Sequence, residues 1–544
     1  MSKSSKTRAS KQQYVSPGQG VLACFEMPFS GSLAPDNRWV LLAGKLPWDL
    51  LVKVYLKQMN NDNTGAGGIN PRVALGALII KHICDLSDRE TIQQIRENVY
   101  MQYFIGYSGF SNREAFDPSL FVEIRKRLGI EHVNSINERI IRFVQESETV
   151  AMAMAAKEKV AFDNAKEEKD ADVTGQDRQS ETSPAEISPN IEEKSAVAIS
   201  SPSNRGGMII DATVCPQDIA YPTDLNLLND AREKSEELID LLYSRELHGK
   251  KPRTYRRKAR RLYLNEAQKK NSTKRAIRKA NGKQLRFLKR NINVIHRLLD
   301  KHHGIPLDRK QYKYLLVIQT LYDQQEEIYR KRSVRVEHRI VSIHQPHVRP
   351  IVRGKRNAKV EFGAKIQVSL MNGFSFLDDL DWEAFNEGAR LLASIEKYRE
   401  RFGYYPAEVL ADKIYCTREN RKRLQLLNIK LRAKPLGRPS RTQAVEDHVR
   451  PGERNPIEGV FGQGKTAYGM NRIKARLART SESWIAAILL VINLVKITGL
   501  IRHALTFSTF RTFSAWLFDF FERREGYEPE IFLWHAYKTA PAAA

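Results

Sequence analysis

Residues 207–214 read Gly-Met-Ile-Ile-Asp-Ala-Thr-Val, a short apolar run with a single charged residue. Its apolar side chains are typical of a buried strand. Asp211 lies inside this run, and a carboxylate is costly to bury unless a hydrogen bond or a cation compensates it. Two interpretations follow: Asp211 is bonded to backbone N–H groups at a strand end, or it binds a metal ion.

Strand-like patterns recur in the second half of the chain. Asn372-Gly373 is typical of a hairpin turn. Val-Leu-Ala-Asp at 409–412 is another short apolar run, and it ends in the carboxylate of Asp412. Further strands are predicted over 337–344, 361–370, 374–377 and 428–433, and a helix over 382–402. This mixture of strands and helices predicts an α+β or mixed fold.

The stretch from Arg454 to Lys465 reads Arg-Asn-Pro-Ile-Glu-Gly-Val-Phe-Gly-Gln-Gly-Lys and predicts the start of a helix. Asn455 is suited to the N-cap and Pro456 to the first helical position. Glu458 would then lie in the first turn, with Lys465 almost two turns further along the same side. Glu458 could simply cap the helix, since Asn-x-x-Glu is nearly a capping box. Alternatively it holds a metal ion while the flanking cations hold phosphates.

Positive charge dominates the composition. The 544 residues carry a formal net charge of +26, which predicts a polyanionic partner, most simply nucleic acid. From Lys250 to Arg297 there are 19 Lys and Arg residues against one acid, Glu266. A solvated face is the ordinary explanation of such a run, but this density favours contact with phosphates. The candidate DNA-binding residues here are Arg256, Arg257, Lys258, Arg260 and Arg261, and a second basic cluster includes Arg472 and Lys474.

The N-terminal part is predicted to be helical. Asn70-Pro71 and Ser87 with Glu90 mark helix starts. Two short helices that meet around residues 85–88 leave two possibilities open, a helix-turn-helix and an ordinary helical bundle.

Changes of composition divide the chain into predicted units. Residues 157–200 contain eleven acidic and six basic residues with little apolar periodicity, which is typical of disorder. The predicted order is a disordered tail over 1–20, a helical N-terminal module for DNA binding or dimerisation over 21–156, an acidic linker over 157–205, the start of the core over 206–247, a basic helical insertion over 248–333, the remainder of the core over 334–503 and an aromatic tail over 504–544.

Neither a membrane nor a secreted protein is indicated. The apolar run 484–501 is interrupted by Asn493 and Lys496, so a buried helix is predicted rather than a membrane span. The N-terminus is polar and lacks an apolar signal core. The four cysteines are far apart and form neither a zinc pattern nor a disulfide framework, which favours a reducing compartment.

Three segments resemble the catalytic segments of bacterial insertion-sequence transposases of the DDE class. Residues 207–226 resemble the first segment, and Glu-Val-Leu-Ala-Asp-Lys at 408–413 resembles the second. The stretch from Arg454 to Lys465 is similar to the third, with its signature Tyr-x2-Arg-x3-Glu-x6-Lys, although Pro451 occupies the Tyr position. Residues 25–129 are similar to the helical N-terminal module of the IS-five-like branch.

This resemblance implies an RNase H-like core in which Asp211, Asp412 and Glu458 are the catalytic metal ligands. Three converging carboxylates would bind two Mg²⁺ ions, with Mn²⁺ as an alternative. It also implies that Arg454 and Lys465 contact the transposon end. The expected reaction is cleavage at terminal inverted repeats followed by strand transfer to target DNA.

The expected partners are double-stranded DNA and a second copy of the chain, with which it would form a homodimer. The expected location is the bacterial cytoplasm at the nucleoid, and no membrane partner is expected. Two rival functions are a catalytically inactive DNA-binding protein related to transposases and a structural RNA-binding protein.

Overall fold

The computed structural model describes residues 32–57, 68–170, 204–302, 304, 306–333, 335–352, 360–433 and 452–499, and for 147–170 only the helical backbone. The predicted tails over 1–20 and 504–544 lie outside the described residues. One hydrophobic core is shared by the N-terminal helices and a sheet, and a second core lies within the helical insertion.

Six described helices form the N-terminal part, and the two that begin at Pro71 and Asp88 start where the sequence places their caps. The six are α1 (Arg38–Lys45), α2 (Trp48–Leu56), α3 (Pro71–Ile83), α4 (Asp88–Glu97), α5 (Val99–Phe104) and α6 (Leu120–Asp170). The side chain of Asn70 accepts a hydrogen bond from the Arg72 N–H, and that of Ser87 accepts one from the Glu90 N–H. Helix α3 is buried along its whole length, as the central helix of a bundle must be. The helix-turn-helix alternative stays a prediction.

Helix α6 is longer than the sequence predicts. Its helical geometry is interrupted at Gly129, with φ 60° and ψ −179°. A helix then resumes and continues to Asp170, so residues 157–170 of the predicted acidic linker are helical. The positions 171–203 of that linker lie outside the described residues.

A mixed sheet forms the centre of the molecule. Its strands are β1 (Gly207–Pro216), β2 (Arg349–Val352), β3 (Val360–Met371), β4 (Phe374–Asp381), β5 (Glu408–Leu410) and β6 (Lys430–Arg432). The order is β2-β3-β1-β5-β6, and β4 also pairs with β3. The β1–β5 and β5–β6 pairs are parallel, and the others are antiparallel. Asn372 and Gly373 have φ values of 50° and 77°, which confirms the predicted hairpin turn.

Between β1 and β2 the chain forms the helical insertion. Its helices are α7 (Asp224–Leu242), α8 (Arg245–His248), α9 (Arg256–Ala267), α10 (Lys274–Leu299) and α11 (Arg309–Lys331). The apolar faces of α7, α10 and α11 pack together into the second hydrophobic core. The basic helices therefore belong to a packed unit with its own core.

One predicted strand is wrong, and one predicted helix begins later than the sequence indicates. Residues 337–344 form no strand: Ile340 and Ile343 pack into the core of the insertion. The side chain of Gln324 on α11 takes the place of a neighbouring strand, because it donates to the carbonyls of residues 337 and 338 and accepts from the Ile340 N–H. The helix predicted over 382–402 exists only as a 3-10 turn, Glu387–Arg390, followed by α12 (Leu391–Phe402), because Asn386 caps the turn there.

The remaining helices are α13 (Arg418–Leu426), α14 (Asn455–Ala467) and α15 (Ala478–Gly499). Among the described helices, α15 is long and apolar enough to cross a membrane, but 78% of its most apolar window is buried inside the protein. Its Asn493 accepts a hydrogen bond from the Ser375 N–H and donates to Asn137 on α6. The prediction of a buried helix is thus confirmed.

Buried charges join the N-terminal helices to α15. The ammonium of Lys81 lies 3.0 Å from Asp88 and 4.6 Å from the ring centre of Trp484. Arg125 donates two hydrogen bonds of 2.9 Å to the same Asp88 carboxylate. Burial lowers the pKa of Lys81 to about 8, because its charged form loses most of its hydration.

A second set of charges joins α6 to the core. Arg401 on α12 contacts Asp378 on β4 at 2.6 Å and Glu138 on α6 at 2.7 Å. Asp378 is fully buried, and burial raises the pKa of its carboxyl group. Arg401 is therefore the guanidinium that compensates a buried carboxylate at the contact between the two parts.

Candidate active site

Strand register places Asp211 and Asp412 side by side. In the parallel pair of β1 and β5, Ile209 is opposite Leu410, and each aspartate follows two residues later. Side chains two residues apart on a strand point to the same face. The two carboxylates therefore lie at the same level, where β5 ends and β1 continues.

Arg454 bridges the two carboxylates. Its Nη2 lies 2.9 Å from Oδ2 of Asp211, and its Nη1 lies 3.2 Å from Oδ1 of Asp412. Helix α14 packs against β1 and β3, and Arg454 occupies its N-cap position without a side-chain capping bond. The prediction that Asn455 is the N-cap is wrong by one residue, because Asn455 is already helical.

An ion pair fixes the start of α14 against the sheet. Glu453 accepts hydrogen bonds of 2.7 and 2.6 Å from Nη2 of Arg432, the last residue of β6. Arg432 also lies 3.5 Å from Glu408 on β5. These contacts place Arg454, the next residue, at the edge of the sheet where Asp412 lies.

The two aspartates differ in their surroundings. The Asp211 side chain is 17% exposed and that of Asp412 is 54% exposed. Burial raises the pKa of Asp211, while the hydrogen bond from the Ala212 N–H and the charge of Arg454 act in the opposite direction. The backbone interpretation of Asp211 is confirmed, because its carboxylate accepts a hydrogen bond of 2.8 Å from the Ala212 N–H, while its binding of a metal ion stays a prediction.

Glu458 is less closely tied to this pair. Its side chain is exposed on the first turn of α14, one turn beyond Arg454. In the described parts of the chain no contact joins it to Asp211 or Asp412, and no cluster of three acidic, His or Cys side chains is arranged to hold a metal ion. Carboxylate oxygens are the donors that a hard divalent ion prefers, but the guanidinium of Arg454 contacts both aspartates in this structure. The convergence of three acids stays a prediction.

Two further residues at the site are not apparent from the sequence. Glu387 lies in the 3-10 turn, forms an ion pair of 2.8 Å with Lys365, and contributes to the raised pKa of Asp211. Tyr415 is fully buried, and its hydroxyl has no hydrogen-bond partner among the residues described. Burial is the main cause that raises the pKa of this hydroxyl, and the charges of Glu387 and Asp211 raise it further. No local pattern marks either residue, because only the fold brings them to Asp211.

The basic candidates on α9 are surface residues. Arg257, Lys258, Arg260 and Arg261 are exposed, and no described acidic residue forms an ion pair with them. Arg256 is different, because its Nη2 donates 2.9 Å hydrogen bonds to both carboxylate oxygens of Asp240. Four of the five candidates on α9 therefore have charges that are open to phosphates.

The basic candidates on α14 and in the segment that follows it differ in exposure and in ion pairing. Arg472 forms an exposed ion pair of 2.9 Å with Asp218. Lys474 is exposed, and Lys465 is half-buried on α14.

Comparisons with known proteins match two separate parts of the chain. A family model described as a transposase DDE domain matches residues 409–495, the segment that contains Asp412, Arg454 and Glu458. A model described as a transposase domain (DUF772) matches residues 29–127 of the N-terminal helices. The uncharacterized protein ORF8 in the nfe locus of Rhizobium meliloti is 29% identical over 113 residues, which are 21% of this chain and 54% of that protein. The chain thus spans about half the length of this curated relative. No solved structure matches.

Proposed function

Because the chain belongs to the DDE transposases of bacterial insertion sequences, we propose that it cuts DNA at the terminal inverted repeats of its element and joins the freed ends to target DNA. Asp211, Asp412 and Glu458 are the proposed catalytic acids. The observation that carries this proposal is the shared ion pair of Asp211 and Asp412 with Arg454, at the start of the helix that bears Glu458.

The proposed cofactor is a pair of Mg²⁺ ions, with Mn²⁺ as an alternative, held by Asp211, Asp412 and Glu458. When bound, the ions would stabilise the attacking and leaving oxygens of an in-line phosphoryl displacement. Asp211 has a fixed position within a hydrogen-bonded strand, and Asp412 offers a more exposed carboxylate.

The cations on α14 and the basic surfaces have a separate proposed role, which is to hold DNA. Arg454 and Lys465 would contact the element's end, together with Arg472 and Lys474. The exposed cations of α9 would neutralise backbone phosphates and add affinity without reading sequence.

Several finer assignments belong to the same proposal. The mixed sheet with α14 packed across it supports an RNase H-like core. Placement in the IS-five-like branch, the predicted domain limits, a homodimer that brings two element ends together and a cytoplasmic location at the nucleoid are proposed on the resemblance. The alternative of a catalytically inactive DNA-binding protein has no support from the matches, and the sequence contains all three proposed acids.

The test is to replace each acid with its amide. Asp211→Asn, Asp412→Asn and Glu458→Gln should each abolish cleavage of a duplex that ends in the element's terminal repeat, with Mg²⁺ or Mn²⁺ present. Binding of the same duplex should be largely retained. Glu396→Gln is a matched control, because Glu396 is a surface carboxylate paired with Arg399 at 3.8 Å. Full cleavage by any one amide variant would remove that residue from the proposed site.

A further inference from the structure

Helix α13 presents a dense group of cations close to Asp412. Its nine residues include Arg418, Arg421, Lys422 and Arg423, all exposed, against one acid, Glu419. No described acidic residue forms an ion pair with any of these four cations. In contrast, the cations of the neighbouring strand and helix, Arg432 and Arg454, are paired with carboxylates.

The cations lie opposite the face that holds the helix in place. Asn420 and Leu424, which are four residues apart, are buried and define the inner face of α13. Arg418, Arg421 and Lys422 are spaced i, i+3 and i+4, which places them on one face of the helix. This patch, defined here as the α13 patch, points toward solvent.

Hydrogen bonds tie α13 rigidly to the candidate active site. The Nδ2 of Asn420 donates to the carbonyl of Gly388 at 2.8 Å and to that of Tyr415 at 2.9 Å. Gly388 follows Glu387, and Tyr415 ends the 3-10 turn that Asp412 caps. The Thr417 side chain caps α13 itself. The α13 patch therefore has a fixed position relative to Glu387 and Asp412.

We propose that the α13 patch binds the phosphate backbone of the duplex DNA that enters the active site. The inference rests on the proposed function, since it requires DNA to reach Asp211 and Asp412. One helical turn separates Arg418 from Lys422, a rise of about 6 Å, and successive phosphates of one DNA strand rise by about 3.4 Å along the duplex axis. The patch can thus neutralise neighbouring phosphates, which positions the duplex without reading its sequence.

The test compares two triple variants. In the first, Arg418→Gln, Arg421→Gln and Lys422→Gln remove three positive charges and keep good helix-forming residues. In the second, Arg418→Lys, Arg421→Lys and Lys422→Arg keep the charge. Binding to a short fluorescent duplex of arbitrary sequence is measured without divalent metal, over a series of salt concentrations.

The expected result is a smaller salt dependence in the first variant only. The slope of log K against log salt concentration should fall in magnitude by about 2 to 3, at roughly 0.9 for each lost phosphate contact. The charge-keeping variant should retain the wild-type slope. Equal slopes in all three proteins would overturn the inference and assign the patch to solvation. Equal losses in both variants would also overturn it, because the helix would then matter for its shape rather than its charge.

A second measurement separates this inference from the proposed function. The Gln variant should cleave terminal-repeat DNA with a raised KM that rises further with salt, whereas the charge-keeping variant should keep the wild-type KM. If the slope changes as expected while Asp412→Asn cleaves normally, the catalytic assignment fails and the α13 contact stands. If the slope does not change while the acid variants are inactive, only the α13 contact fails.

Discussion

Arg454 either competes with a metal ion for the two aspartates or positions them to bind it. Its guanidinium lies between the two carboxylates that are proposed to hold divalent ions. The Arg454→Gln variant removes this charge but keeps a polar side chain. We expect it to bind Mn²⁺ more tightly than the wild type in the absence of DNA, because an ion no longer has to displace the guanidinium.

The size of the effect follows from the two contacts. The hydrogen bond to Asp211 joins two charged and mostly buried groups, and such bonds contribute about 1.5–3 kcal/mol. The contact with Asp412 is half-exposed, so screening limits it to about 0–1 kcal/mol. Losing both should tighten Mn²⁺ binding by about 1.5–4 kcal/mol, which is roughly 10-fold to several hundred-fold.

The assay is a Mn²⁺ titration in which the paramagnetic resonance signal reports the free ion. Arg472→Gln is the matched control: it removes one positive charge from an ion pair with Asp218, outside the candidate site, and should leave Mn²⁺ affinity unchanged. Denaturant unfolding verifies that both variants are folded. Unchanged or weaker Mn²⁺ binding by Arg454→Gln would refute the reasoning, because Arg454 would then position the aspartates for the ion rather than compete with it.

Two further predictions concern the buried charges that join the N-terminal helices to the core. Lys81 has a pKa of about 8, below its ordinary 10.5, so its charged form costs stability below pH 8 and this cost disappears as the pH rises to 10.5. Lys81→Met should therefore raise the free energy of unfolding by about 1–3 kcal/mol at neutral pH and by less near pH 10. Urea unfolding at both pH values measures this difference, and a lower free energy of unfolding at neutral pH would contradict the prediction. Arg401→Met should lower the free energy of unfolding by about 3–5 kcal/mol, because the buried carboxylate of Asp378 then has no compensating charge. Urea unfolding measures this loss, and a loss below about 1 kcal/mol would show that the ion pair is not needed for stability.

Local signals in the sequence located most elements well. The caps at Asn70 and Ser87, the hairpin turn at Asn372-Gly373 and the apolar run 207–214 all correspond to observed helix starts, a turn and a strand. These features depend on residues close in the chain, so a short window contains the physics that produces them.

The errors share a different cause. The segment 337–344 is predicted to be a strand, but Ile340 and Ile343, three residues apart, both pack into the core of the insertion while Gln324 binds the backbone. In the same way, the N-cap of α14 is displaced by one residue. Both outcomes depend on partners that are distant in the chain, which a local pattern does not contain.

By itself, the sequence determined the types of most elements, the basic character of the surface and the identity of the candidate acids. Only the tertiary structure decided that the Arg454 guanidinium, at the start of its helix, binds Asp211 and Asp412, 243 and 42 positions away in the chain. It also decided that Glu387 and Tyr415 lie within electrostatic range of Asp211, and that the cations of α13 face solvent. The physical reason is that strand register and helix packing set these distances, and both are properties of the whole folded chain.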